Sequence, residues 1–134
     1  MKIVSWNVNG LRTRIVEVID GEIKEEGSLY NLITQDDPDM ICFQETRCSV
    51  EKAQIFKNNK YPYQYYNESK REGARGPNRY SGTSIWSKIK PEKIEYQIPN
   101  YQDNEGRIII FSLGNQKIIN VTICHDTLTY LIQQ

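Results

Sequence analysis

Two short strings hold most of the residues able to do chemistry: Ser5-Trp6-Asn7-Val8-Asn9-Gly10-Leu11-Arg12 and Phe43-Gln44-Glu45-Thr46-Arg47. Each follows an apolar run that reads as a β-strand. Together they put a carboxamide (Asn7), a carboxylate (Glu45) and two guanidinium groups (Arg12, Arg47) at the ends of two strands. Ligands gather at the carboxyl ends of parallel strands. Mg²⁺ typically takes one or two protein carboxylates and keeps waters and substrate phosphates. Arginine matches phosphate through its planar fork of donors. This chemistry therefore suits a hard cation and a phosphodiester. Taken one at a time, the same residues have plainer roles. Glu45 reads as a surface or salt-bridged carboxylate, Asn7 as a turn residue closing the bend to Gly10, and each arginine as a solvated side chain.

A second cluster, Lys70, Arg71, Arg75 and Arg79 with Tyr80 at its end, is interleaved with glycines. It fits a grip on a nucleic-acid backbone, or equally a flexible charged loop. His125 is the only histidine and precedes Asp126. Neighbours on an extended chain point to opposite sides, so a direct His-Asp pair is disfavoured and a surface histidine is expected.

The elements that must position these groups follow from patterning. Lys2 to Trp6 is a short apolar strand, and Asn9-Gly10 marks a turn. Leu11 to about Ile33 shows helical spacing, interrupted near Gly21 and Gly27, and ends at Asp36-Asp37-Pro38. Asp39 to Gln44 is a continuous apolar strand of the kind covered on both faces. Strand, helix, strand makes a βαβ unit with the two strands parallel. Ser49 to about Phe56 predicts a short helix with Ser49 as N-cap. Tyr61 to Tyr66 predicts a strand and Glu68 to Arg79 a surface loop. Further strands are expected at Gly82 to Ser87, Lys93 to Ile98, Arg107 to Leu113 and Lys117 to Ile123. Gly114-Asn115 makes the hairpin turn between the last two. One long helix would cover one face of the sheet, and the other face would lack a partner.

The 134 residues suggest one domain. Seventeen basic and seventeen acidic residues balance, so phosphate binding must be local rather than driven by a global field. No apolar stretch is long enough to span a membrane. The first residues run directly into a strand, which argues against a signal peptide. Cys42, Cys48 and Cys124 lack metal-type spacing and read as reduced, buried thiols of an intracellular protein.

The opening twelve residues resemble the start of the exonuclease III type of apurinic/apyrimidinic endonucleases, within the endonuclease/exonuclease/phosphatase superfamily. Asp37 to Arg47 (Asp-Pro-Asp-Met-Ile-Cys-Phe-Gln-Glu-Thr-Arg) resembles that family's second motif. Tyr80-Ser81-Gly82-Thr83 resembles its third and Asp103-Asn104-Glu105-Gly106-Arg107 its fourth. The resemblance covers residues 1 to about 123 and leaves 124–134 as a divergent tail. It implies an α/β fold: half of a DNase I-like four-layered α/β sandwich, with one mixed sheet and flanking helices. It implies metal-dependent incision of DNA 5′ to abasic sites, with 3′-5′ exonuclease activity as a related outcome. Mg²⁺ would be the metal, with Mn²⁺ as substitute. Glu45 matches the metal-ligand glutamate. Asn7 matches the asparagine that orders metal and active site, making Asn7 and Glu45 the catalytic candidates. Asn9 stands near the metal, while Arg12, Arg47 and Tyr80 match contacts to the DNA backbone.

The departures carry expectations too. Relatives have a Tyr-x-Pro-Asn type string where this chain reads Thr122-Ile123-Cys124-His125-Asp126, and later Gly-Asp-x-Asn and Ser-Asp-His strings with no counterpart here. Roughly six residues around 74–78 resemble an insertion. The expected partners are DNA containing abasic sites and a missing C-terminal half or self-association, with no membrane. The expected place is intracellular, nuclear in a eukaryote and otherwise cytoplasm or nucleoid. With no recognisable general base, impaired activity is expected of these 134 residues. The alternatives are a non-catalytic DNA- or protein-binding module and a fragment of a split or truncated gene.

Overall fold

A computed structural model of the chain describes residues 1–70 and 80–122, with only the backbone of 72–73 and 76–77 between them. In chain order the elements are β1 (Ile3–Asn7), α1 (Leu11–Arg14), β2 (Val18–Ile19), β3 (Glu22–Ile23), α2 (Ser28–Asp36) and β4 (Met40–Gln44). A 3₁₀ turn (Lys52–Phe56) follows, then β5 (Tyr63–Asn67), β6 (Glu72–Gly73), β7 (Gly76–Pro77), β8 (Thr83–Ser87), β9 (Lys93–Glu95), β10 (Ile108–Leu113) and β11 (Gln116–Val121).

The apolar run of β4 organises the rest, because alternate residues of a strand leave on opposite faces. Ile41 and Phe43 enter one buried cluster with Val8, Leu11, Ile15, Leu29, Ala53, Phe56, Tyr61 and Trp86. Met40 and Cys42 enter another with Ile85, Ile109 and Phe111. The first cluster packs the helical layer against a mixed sheet of order β1-β4-β8-β5. In that sheet β1 runs parallel to β4, as the βαβ pattern requires, and β8 runs antiparallel to both β4 and β5. The second cluster packs the same sheet against an antiparallel sheet of order β11-β10-β9. A fully buried side chain of this size contributes about 1.5–3 kcal/mol. An exposed ion pair contributes about 0–1 kcal/mol. The two clusters, not surface charge, therefore hold the layers together.

This arrangement corrects the expected open inner face. β9, β10 and β11 turn back over the mixed sheet and close that face. Strand periodicity reports which residues share a face but not which sheet a strand joins. The expected helix over Leu11 to Ile33 also breaks up. Val18 and Ile23 pair across a β2–β3 hairpin whose turn residues, Asp20 (φ 51°) and Gly21 (φ 83°), both have positive φ. Asp-Gly is a hairpin signal, and it competes in the sequence with the helical spacing of Ile15, Val16 and Ile19. The helix expected from Ser49 is a 3₁₀ turn that starts at Lys52 with Glu51 in the cap position, although Ser49 Oγ accepts the Lys52 N–H at 3.1 Å. Other expectations hold. Gly114-Asn115 closes β10 to β11 with Leu113 opposite Gln116. Cys42 and Cys48 are buried free thiols. Burial pushes the Cys42 thiol up to about 11 and raises that of Cys48. Arg71, Arg75, Arg79, Cys124, His125 and Asp126 lie outside the described residues.

Candidate metal and phosphate site

Because β1 and β4 are parallel, their carboxyl ends meet at one edge of the mixed sheet, with Asn7 opposite Gln44. β8 is antiparallel, so its amino end reaches the same edge, with Thr83 opposite Gln44. Four loops therefore converge there, and their main chains are bonded to one another. Val8 N–H donates to Gln44 O (3.1 Å), Gly10 N–H to Glu45 O (2.8 Å) and Leu11 N–H to Thr46 O (2.9 Å). On the other side Thr46 N–H donates to Gly82 O (3.1 Å), Arg47 N–H to Ser81 O (2.9 Å) and Gly82 N–H to Glu105 O (3.2 Å). The segment 45–47 is thus pinned from both flanks.

The conformations at this edge are unusual. Asn9 (φ 47°), Glu45 (φ 54°), Arg47 (φ 48°) and Ser81 (φ 53°) all occupy the left-handed region. Such residues cost about 1–3 kcal/mol each and persist where surrounding structure over-determines them. Gly82 (φ 93°) allows the close approach, since a Cβ there would collide with Thr46 Oγ1.

Glu45 is half-exposed. Its Oε2 lies 3.8 Å from an Arg47 terminal nitrogen, a loose ion pair with both side chains near 40% exposed (41% and 37%). The plainer reading of a salt-bridged carboxylate is thus also true of this geometry. Asn7 Oδ1 accepts the Asn9 N–H at 3.1 Å, so Asn7 also closes its turn. One lone pair of that oxygen remains available. Arg12 is exposed just beyond, at the start of α1. Arg47 Nε and Ser81 Oγ are buried with no hydrogen-bond partner among the described residues.

Tyr80 stands beside this group, its ring 5.7 Å from the Arg107 guanidinium carbon. Arg107 is 4% exposed. Its Nε donates to Glu105 Oε2 at 2.6 Å, and a terminal nitrogen contacts the same oxygen. Asp103 accepts the main-chain N–H groups of Glu105 and Arg107, so its carboxylate is committed to shaping the loop. The fourth sequence string thus builds the support under Tyr80. The string is visible in the sequence, but nothing in its residue types points to Arg107 as the support of Tyr80.

Hard oxygen donors open to solvent suit a cation that keeps its waters. Among the described residues, however, no group of three His, Cys, Asp or Glu side chains could hold a metal alone. At this end of the sheet Glu45 offers a half-exposed carboxylate and Asn7 an exposed carboxamide.

Residues 4–132 match the model of the Endonuclease/Exonuclease/phosphatase family. The chain is similar to the DNA repair nuclease APEX1 of Danio rerio, 34% identical over 112 residues, covering 81% of this chain and 31% of that protein. It is similar to an exodeoxyribonuclease of Bacillus subtilis, 30% identical over 122 residues, covering 90% of this chain and 42% of that protein. The chain thus spans less than half the length of these curated relatives. Among solved structures, the 3'-5' exonuclease NExo from Neisseria meningitidis superposes with a TM-score of 0.64 at 23% identity. The match covers 99% of this chain and 48% of that one. That likeness shows the DNase I-like α/β fold.

Proposed function

Because this chain belongs to the endonuclease/exonuclease/phosphatase family, on its exonuclease III type side, we propose that it supplies the metal- and phosphate-gripping part of a DNA-repair phosphodiesterase. The substrate would be DNA containing abasic sites, cut 5′ to the lesion, with Mg²⁺ as cofactor and Mn²⁺ able to replace it. The carrying observation is the zippering of the 7–12, 45–47 and 80–82 loops. It delivers Asn7, Glu45, Arg47 and Tyr80 to one sheet edge.

Each side chain has a part that its geometry supports. The Glu45 carboxylate and Asn7 Oδ1 offer hard donors for the cation. When bound, the cation supplies Lewis-acid polarisation of a phosphoryl oxygen. The half-exposed Arg47 guanidinium would offer its terminal nitrogens to a non-bridging phosphate oxygen. Arg12 extends the positive surface along the backbone. Arg107 packs against the Tyr80 ring and steadies it at this edge, where it could meet the DNA backbone. Asp103 shapes the loop that carries Glu105 and Arg107, one carboxylate oxygen accepting the main-chain N–H of each.

The experiment is a duplex carrying one abasic site, incubated with the 134-residue chain in Mg²⁺ and in EDTA, beside Glu45→Ala. These residues alone are expected to incise slowly, and only with metal. Glu45→Ala is expected to remove what incision there is and to weaken Mn²⁺ binding by on the order of tenfold or more. Incision that persists in EDTA, or in Glu45→Ala, sinks the proposal. A second reading, a DNA-binding module without turnover, is favoured because no group of three His, Cys, Asp or Glu side chains among the described residues could hold a metal. It would show as salt-sensitive binding without any incision.

A further inference from the structure

Asn120 occupies an inward position of β11, between exposed Ile119 and Val121, where alternation calls for an apolar residue. It is 3% exposed. A buried amide is tolerated only when its polar atoms are paired, and here they are. Its Nδ2 donates to Phe43 O at 3.0 Å and to Ser84 O at 2.8 Å. Its Oδ1 accepts from Gln44 Nε2 at 2.8 Å. The same Gln44 nitrogen also reaches Ser5 Oγ and Cys42 O, each at 3.1 Å.

These partners share one location. Phe43 and Gln44 are the two residues before Glu45. Ser84 lies two residues after Gly82, whose carbonyl receives the Thr46 N–H. Asn120 therefore grips β4 and β8 together, from the second sheet, just where both strands leave the sheet for the site. The strained conformation at Glu45 needs such over-determination. An apolar side chain of similar size could fill the space, but it could not fix the register of three strands through directed bonds.

We infer that Asn120 is a positioning residue, which through Gln44 and the Phe43 carbonyl sets where β4 presents Glu45. The inference rests on Glu45 being the metal ligand proposed above. It makes the second sheet part of the site's support rather than only a lid on the core.

The test uses the 134-residue chain labelled with ¹⁵N, as wild type, Asn120→Leu and Glu45→Gln. Amide hydrogen exchange and Mn²⁺ affinity are measured on each. In Asn120→Leu, exchange at Thr46 and Arg47 is expected to accelerate roughly tenfold while amides of α2 stay protected. Mn²⁺ affinity is expected to fall at least roughly fivefold, within the range seen when support of a metal ligand is lost. Uniform acceleration across the chain, or none, overturns the inference, as does local loosening with unchanged Mn²⁺ affinity. If Glu45→Gln leaves Mn²⁺ binding unchanged, the metal-site reading itself fails, and the inference falls with it. If Asn120→Leu does not fold, Gln44→Met carries the same measurement, because it removes the amide that bonds Asn120 Oδ1, with its contacts to Ser5 Oγ and Cys42 O, from a half-buried side chain.

Discussion

At the scale of single residues, burial decides which reactive groups can react. Cys42 and Cys48 are 5% and 2% exposed, and burial raises both thiols, Cys42 to about 11. The thiolate is the nucleophile, so both are inert at neutral pH in the folded chain. Alkylation followed by peptide mapping should leave Cys42 and Cys48 unlabelled in the native protein and label both in denaturant. Fast native labelling of either would contradict the packing described. Glu45 and Arg47 are the reverse case, half-exposed side chains on a backbone locked by neighbours. Their chemistry is available while their position is fixed, which is what a preorganised site requires.

At the scale of elements, helix α2 shows how one buried carboxylate organises a connection. Glu17 is 4% exposed; its carboxylate accepts the Val16 N–H at 2.9 Å and the Leu29 N–H at 3.4 Å. Leu29 lies in the first turn of α2, so Glu17 does the work of a cap that Gly27 cannot do by side chain. A negative group at a helix amino end is favoured by the exposed N–H groups and the helix dipole. Glu17→Ala should destabilise the fold by about 1–2 kcal/mol, the range for a lost N-cap, as read by urea unfolding. Gly27→Ala should do at least as much harm. A Cβ at Gly27 would overlap the Glu17 carboxylate, and φ there is 103°. A neutral result for both variants would show that the connection between α1 and α2 contributes little to stability.

At the scale of the whole molecule, Asp37 ties three segments at the edge opposite the site. It receives Lys88 Nζ at 2.8 Å and Lys60 Nζ at 3.0 Å, beside the proline turn that leads into β4. Hydrogen bonds from Lys88 and then Lys60 hold its carboxyl well down, at about 2 against an ordinary 3.8. A carboxyl with a lowered folded pKa binds fewer protons folded than unfolded. It therefore stabilises above the ordinary value and loses that contribution as pH falls through the folded one. Asp37→Asn should be less stable than the parent at neutral pH, by a small amount because the group is exposed. The gap should close between pH 3.8 and about 2. A constant gap across that range would mean that the effect of Asp37 is not its charge. The larger contributions lie between the layers, where β4 gives Ile41 and Phe43 to one cluster and Met40 and Cys42 to the other.

Side-chain patterning was enough for the local parts. These were β1 and β4 with their parallel βαβ relation, the two-sided burial of β4 and the Gly114-Asn115 hairpin. It also marked Asn7, Glu45, Arg47 and Tyr80 as neighbours of strand ends. Such features follow from side-chain alternation and turn chemistry, which act within a few residues. Only the tertiary structure decided that β9, β10 and β11 form a second sheet over the first, because periodicity carries no address for a strand. It alone decided that Asp20-Gly21 turns a hairpin, since two local preferences competed there and packing against the 3₁₀ turn chose. It also put Glu45 into a left-handed conformation and made Arg107 the support for Tyr80. Asn120 left one trace in the sequence, a polar residue at the inward parity of Ile118-Ile119-Asn120-Val121. Its partners, Phe43, Gln44 and Ser84, lie 36 to 77 residues away. Only the packing of one sheet on the other brings them within a hydrogen bond.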